Sequence, residues 1–124
     1  MKVEKTHHVD ASEPDADGDY DYYYEYDIYR FSMNGQVLIA RAYSDEPNEA
    51  SFQGFAVPKE KNALIRSDLD LEITLAAKDY LETEGKTEIR WLSNGGYALF
   101  PGTREPAWKS SAKYREAYFK ERDE

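Results

Sequence analysis

Hydrophobic and polar positions alternate with a period of two from Asp19 to Ile28. Tyr20, Tyr22, Tyr24, Tyr26 and Ile28 fall on one face of an extended chain. Asp19, Asp21, Glu25 and Asp27 fall on the other, interrupted by Tyr23. Such alternation predicts a half-buried strand, and tyrosine rings suit a pleated surface. Past Asp27 the faces exchange: Tyr29 and Phe31 continue the acidic side, Arg30 and Ser32 the tyrosine side. A β-bulge near Asp27–Tyr29 is the expected cause.

Asn34-Gly35 predicts a two-residue type I′ turn, because both residues tolerate positive φ. The return strand is Gln36–Tyr43. A two-residue loop pairs Met33 with Gln36, Phe31 with Leu38 and Tyr29 with Ala40, and on the opposite face Arg30 with Ile39, Ile28 with Arg41 and Tyr26 with Tyr43. Tyr29, Phe31, Leu38, Ala40 and Ala42 then form the expected core face. Arg30 and Arg41 stand among tyrosines on the other.

Ala50–Val57 predicts a third strand, kinked at Gly54. Leu69, Ile73, Ala76, Ala77, Tyr80 and Leu81 recur at helical spacing, with Ser67 or Asp68 as N-cap and Gly85 as C′ residue, so a helix is predicted over Leu69–Glu84. Glu88–Leu92 and Tyr97–Phe100 predict two strands around the turn Asn94-Gly95-Gly96. Pro106 can open a last helix over Ala107–Arg122, with Trp108, Ala112 and Phe119 on one stripe. Met1–Gly18 has no apolar period and is expected to be a disordered acidic tail. The predicted fold is α+β: an antiparallel sheet of four to five strands in the order ββ(β)αββ, one main helix packed on it, and a C-terminal helix. Residues 19–124 are expected to form one domain.

Composition changes this picture in one respect. Leu, Ile, Val and Phe are few for a folded chain, but eleven tyrosines and two tryptophans supply the missing apolar area. Cysteine is absent, which excludes disulfides and thiolate chemistry and fits a reducing compartment. No apolar run is long enough for a bilayer and the first residues lack the apolar core of a secretion signal, so no membrane contact and a cytoplasmic location are expected.

The net charge of −9 is uneven. Residues 1–27 hold two lysines against nine carboxylates, whereas residues 28–124 hold 14 basic and 16 acidic side chains. A clustered negative field steers cationic partners, and the lack of Lys/Arg clusters argues against direct nucleic-acid binding.

Catalytic chemistry finds little support. No nucleophile elbow, zinc-protease helix, phosphate loop, dinucleotide fingerprint or Cys/His metal spacing occurs. Gly85-Lys86-Thr87 follows a helix, whereas a phosphate loop precedes one. Asp15, Asp17, Asp19 and Asp21 approach the spacing of a calcium loop, but its sixth and twelfth positions would be Tyr20 and Tyr26 instead of Gly and Glu. The chain is therefore expected not to be an enzyme and to need neither cofactor nor metal. The leading expectation is a stoichiometric binding protein, of inhibitor or immunity type, docking a basic protein through Asp19, Asp21, Tyr22, Tyr24, Glu25, Tyr26 and Asp27. Two alternatives stand beside it: a self-associating module using a sheet edge or the last helix, and a small-ligand or anion-binding domain using Arg30, Arg41 and Tyr43.

Overall fold

A computed structural model describes residues 1–101. The predicted C-terminal helix lies outside them. Six strands form one sheet in chain order: β1 (Lys2–Ala11), β2 (Tyr23–Met33), β3 (Gln36–Tyr43), β4 (Glu49–Val57), β5 (Glu88–Ser93) and β6 (Gly96–Leu99). A short 3₁₀ turn (Arg66–Asp70) leads into the helix α1 (Glu72–Thr83), which connects β4 to β5.

The β2–β3 hairpin matches the expected register residue for residue. Asn34 and Gly35 both have positive φ, as the turn requires. The expected bulge is absent, because β2 pairs without a shift with both β1 and β3. The change of pattern at Tyr29 arises differently. The side that carries Asp27 at the open end of the strand carries Tyr29 and Phe31 under the helix.

The expected all-antiparallel sheet of four or five strands is corrected to a mixed sheet of six. β4 and β5 pair in parallel, since α1 carries the chain back across the sheet before β5 begins. The sixth strand comes from the expected disordered tail: Lys2–Ala11 pairs with β2 along its whole length. Its composition gave no apolar stripe because this edge strand is exposed on both faces apart from the partly buried Val3 and Ala11, and so needs few apolar side chains. Val3 reaches the core, and Lys5 and His7 meet acids of β2.

α1 begins three residues later than expected. Leu71 is extended, so the Arg66–Asp70 turn is a separate element, steadied by Lys61 on the Asp68 carboxylate at 2.7 Å. At the other end the Lys86 N–H donates to the Leu81 carbonyl, which closes the helix at Gly85. Leu69, Ile73, Ala77 and Leu81 are buried against Tyr29, Phe31, Leu38, Ala40, Phe52 and Ile89. The core therefore lies on the predicted face of the hairpin, and the tyrosine/arginine face stands on the other side of the sheet.

Candidate interaction surface

The chain between β1 and β2, residues 12–22, is a hairpin loop built by two side chains. One Asp15 carboxylate oxygen accepts the N–H groups of Asp17 and Asp19, both at 2.9 Å. The Ser12 hydroxyl accepts the Asp21 N–H at 2.7 Å and the Tyr22 N–H at 3.3 Å. Short polar side chains next to their own backbone favour such turns. Asp15, Asp17 and Asp19 form a group of carboxylates within 4.8 Å of one another, the one such cluster among the described residues. Two amides already engage Asp15, and the remaining positions of a calcium loop are missing.

The loop presents five carboxylates, Glu13, Asp15, Asp17, Asp19 and Asp21, all exposed. Tyr20, Tyr22, Tyr23 and Tyr24 accompany them, each between 46% and 53% exposed. Their rings contact in pairs, Tyr20 with Tyr23 at 5.5 Å and Tyr22 with Tyr24 at 6.1 Å between centroids. Aromatic surface of this kind contributes contact area at small entropic cost.

The strand directions bring further acid to the same end of the sheet. β1 and β3 end there, and β2, β4 and β5 begin there. The β3–β4 turn thus adds Asp45 and Glu46. Glu46 hydrogen-bonds Glu49, and this contact, partial burial and the charges of Glu49 and Asp45 raise its pKa from 4.5 to about 7. Arg90 holds Glu49 at 2.8 Å and the buried Glu88 at 3.2 Å.

The seven residues expected to dock a partner are split by the fold. Asp19, Asp21 and Tyr22 lie in the loop. Tyr24 and Tyr26 lie on the open sheet face, where Tyr26 stacks on His8 and both meet Tyr43 edge-on. Glu25 and Asp27 lie on the helix side and are engaged within the chain. The two ring nitrogens of His7 contact Asp27 at 2.7 Å and Glu25 at 2.8 Å, while Lys5 contacts Asp27 at 3.7 Å. The Asp27 and Glu25 contacts raise the His7 pKa above its ordinary 6.5. Sequence reasoning missed this clamp because it placed His7 in a tail. The signal available was the Val3, His7, Val9 alternation, too sparse to read alone.

Of the alternative set, Arg30 is exposed on the open face and Arg41 lies on the Tyr26 ring, 4.7 Å from its centroid, with Tyr43 Oη 3.4 Å away. Arg41 thus forms part of the packing of that face. A cavity of about 300 Å³ opens beside it, lined by Ile39, Gln53, Gly54 and Lys61 among others.

No protein-family model matches the chain, and comparison with curated proteins and with solved structures finds no match. Among the described residues, no helix is long and apolar enough to cross a membrane.

Proposed function

We propose that the chain is a non-catalytic, stoichiometric binding protein that docks a basic protein through the tip of the β1–β2 hairpin. One observation carries this reading: five exposed carboxylates and the half-exposed Tyr20 and Tyr22 share one loop that internal hydrogen bonds hold in shape, with the half-exposed Tyr23 and Tyr24 at the adjoining start of β2. Pre-ordering of the loop lowers the entropy lost on docking, and the charge raises the association rate with a cationic surface. Asp45 and Glu46 extend the field along the same end of the sheet. Glu25 and Asp27 are left out of the docking set, because His7 and Lys5 already counter them.

The test is capture of partners from native lysate at low and high salt, followed by titration of the captured protein against wild type and a Glu13→Gln, Asp17→Asn, Asp19→Asn, Asp21→Asn variant. The expected result is one dominant basic partner, released by salt and bound at least about tenfold more weakly by the variant, with unchanged thermal stability. Equal affinity for both proteins would sink the proposal.

The Arg30, Arg41 and Tyr43 face supports a small-ligand reading less well, since the Arg41 guanidinium is occupied by Tyr26.

A further inference from the structure

β1 is the terminal strand of the sheet, and among the described residues nothing pairs with its outer edge. It is ten residues long, free of proline, and unbroken by any shift against β2. Unpaired edges of this length are ready templates for another strand, which proteins usually blunt.

Which backbone groups face outward follows from the register. The Ser12 N–H donates to the Tyr22 carbonyl at 3.1 Å, directly beyond the Ala11–Tyr23 pair. Backbone bonds alternate in an antiparallel pair, so the even residues of β1 bond to β2. Val3, Lys5, His7, Val9 and Ala11 therefore turn their N–H and C=O groups to the open edge.

We propose that this edge is the interface of a symmetric homodimer, in which two copies of β1 pair antiparallel with Thr6 on the twofold axis. A twofold axis perpendicular to the sheet requires opposed residues to share a face, which limits the registers. Centring the axis on Lys5 opposes two lysines, and centring it on His7 opposes Glu4 with Asp10 of the second copy. Centring it on Thr6 opposes Lys2 with Asp10, Glu4 with His8 and Val3 with Val9, each pair occurring twice by symmetry. Lys5 then stands opposite His7 of the second copy. Asp27, Glu25 and Glu84 of the same chain already counter those two residues.

The hydrogen-bonding parity agrees with this register. Val3, Lys5, His7 and Val9 become hydrogen-bonded pairs, about eight backbone bonds in all. Lys2, Glu4, Thr6, His8 and Asp10 become the closer, non-hydrogen-bonded pairs, at which opposed side chains interact most strongly. Lys2 already lies 3.1 Å from Glu4 of its own strand, and Asp10 of the second copy would join that exposed pair. The two acidic hairpin tips would sit at opposite ends of the paired strands, about 34 Å apart at 3.4 Å per residue, so dimerisation and partner docking can fail independently.

The experiment is sedimentation of the full chain over a concentration series at low ionic strength. A species of twice the 14.4 kDa chain mass is expected. Asp10→Lys should raise the dimer dissociation constant at least about tenfold by making two attractive pairs repulsive, and adding Lys2→Asp should restore it. The chain has no cysteine, so single thiols report the register. Thr6→Cys should cross-link two copies under mild oxidation, whereas His8→Cys, about 14 Å from its symmetry mate, should not. A monomer at every concentration overturns the proposal, as does a monomer that pairs β1 with an added peptide. So does a dimer that ignores Asp10→Lys and cross-links equally through both thiols.

Discussion

Replacing Gly54 with alanine should be among the most damaging small changes in the protein. Gly54 lies in β4 at φ +155, where its partner strand β3 shifts register. The loop after β4 folds back so closely that a Cβ on Gly54 would lie 1.8 Å from the Lys61 carbonyl oxygen and 2.9 Å from its carbon. Both atoms are backbone, so no side chain can swing aside. The loop must move, and its displacement breaks two bonds, Phe55 N–H to the Lys61 carbonyl at 2.9 Å and Lys61 N–H to the Phe55 carbonyl at 2.8 Å. Two backbone bonds at about 0.5–1.5 kcal/mol each, plus about 1–3 kcal/mol for the unfavourable φ, give about 2–6 kcal/mol. At about 4 °C per kcal/mol for a chain of this size, Tm should fall by at least about 8 °C. Calorimetry measures this directly, and Gly35→Ala provides the control. Gly35 also has positive φ, but open space surrounds it, so only the conformational part applies. If Gly54→Ala melts within about 2 °C of wild type, or no lower than Gly35→Ala, the close approach of the loop is refuted.

Leu81→Ala removes a fully buried side chain beneath the sheet and should destabilise by about 2–5 kcal/mol in urea unfolding. His7 has a folded pKa raised above 6.5, chiefly by Asp27 and then Glu25. Its stabilisation is therefore complete below pH 6.5 and lost as pH rises through the folded value, and His7→Gln should flatten that part of the Tm-against-pH curve. Glu46, raised from 4.5 to about 7 by Glu49 and partial burial, acts in the same direction over a lower window. The folded state holds a proton that the unfolded chain releases, so stability should decline from pH 4.5 to 7, and Glu46→Gln should remove that slope.

The β2–β3 hairpin and α1 were legible in the sequence because their signals are local. Asn34-Gly35 sets a turn, the turn sets a register, and the register puts Tyr29, Phe31 and Leu38 on one face. The stripe from Leu69 to Leu81 needs only helical spacing. β1 was illegible because its pairing depends on a strand that begins twelve residues later. Its charges read as a solvated tail until Asp27 is seen opposite His7 and beside Lys5. The parallel β4–β5 pair was hidden for a related reason, since α1 sets the direction of β5 and nothing within Glu88–Ser93 records it. The candidate surface was half legible. The alternation of Tyr24, Glu25, Tyr26 and Asp27 already separates two faces, yet only the β1 side chains reveal that the acidic face is internally countered.

That difference between countered and uncountered acids leads to an opposite pair of expectations. Among the described residues the ion pairs hold cations of the body on acids of the body: Lys5 and His7 on Asp27, Glu25 and Glu84, Lys61 on Asp68, Lys78 on Glu82, and Arg90 on Glu49 and Glu88. None of them reaches Glu13, Asp17, Asp19 or Asp21. Like charges crowded in one loop repel, so neutralising Asp19 and Asp21 with asparagine should leave Tm unchanged or raise it slightly at low salt, and the gain should vanish as salt screens the loop. Neutralising Asp27 with asparagine should lower Tm, because it strips His7 and Lys5 of a shared acceptor in the strand pair that carries β1. Loop acids that proved stabilising would mean their arrangement serves the fold. Loop acids that are neutral or destabilising would leave their clustering beside four tyrosines without a structural purpose, as expected of a surface kept for a partner.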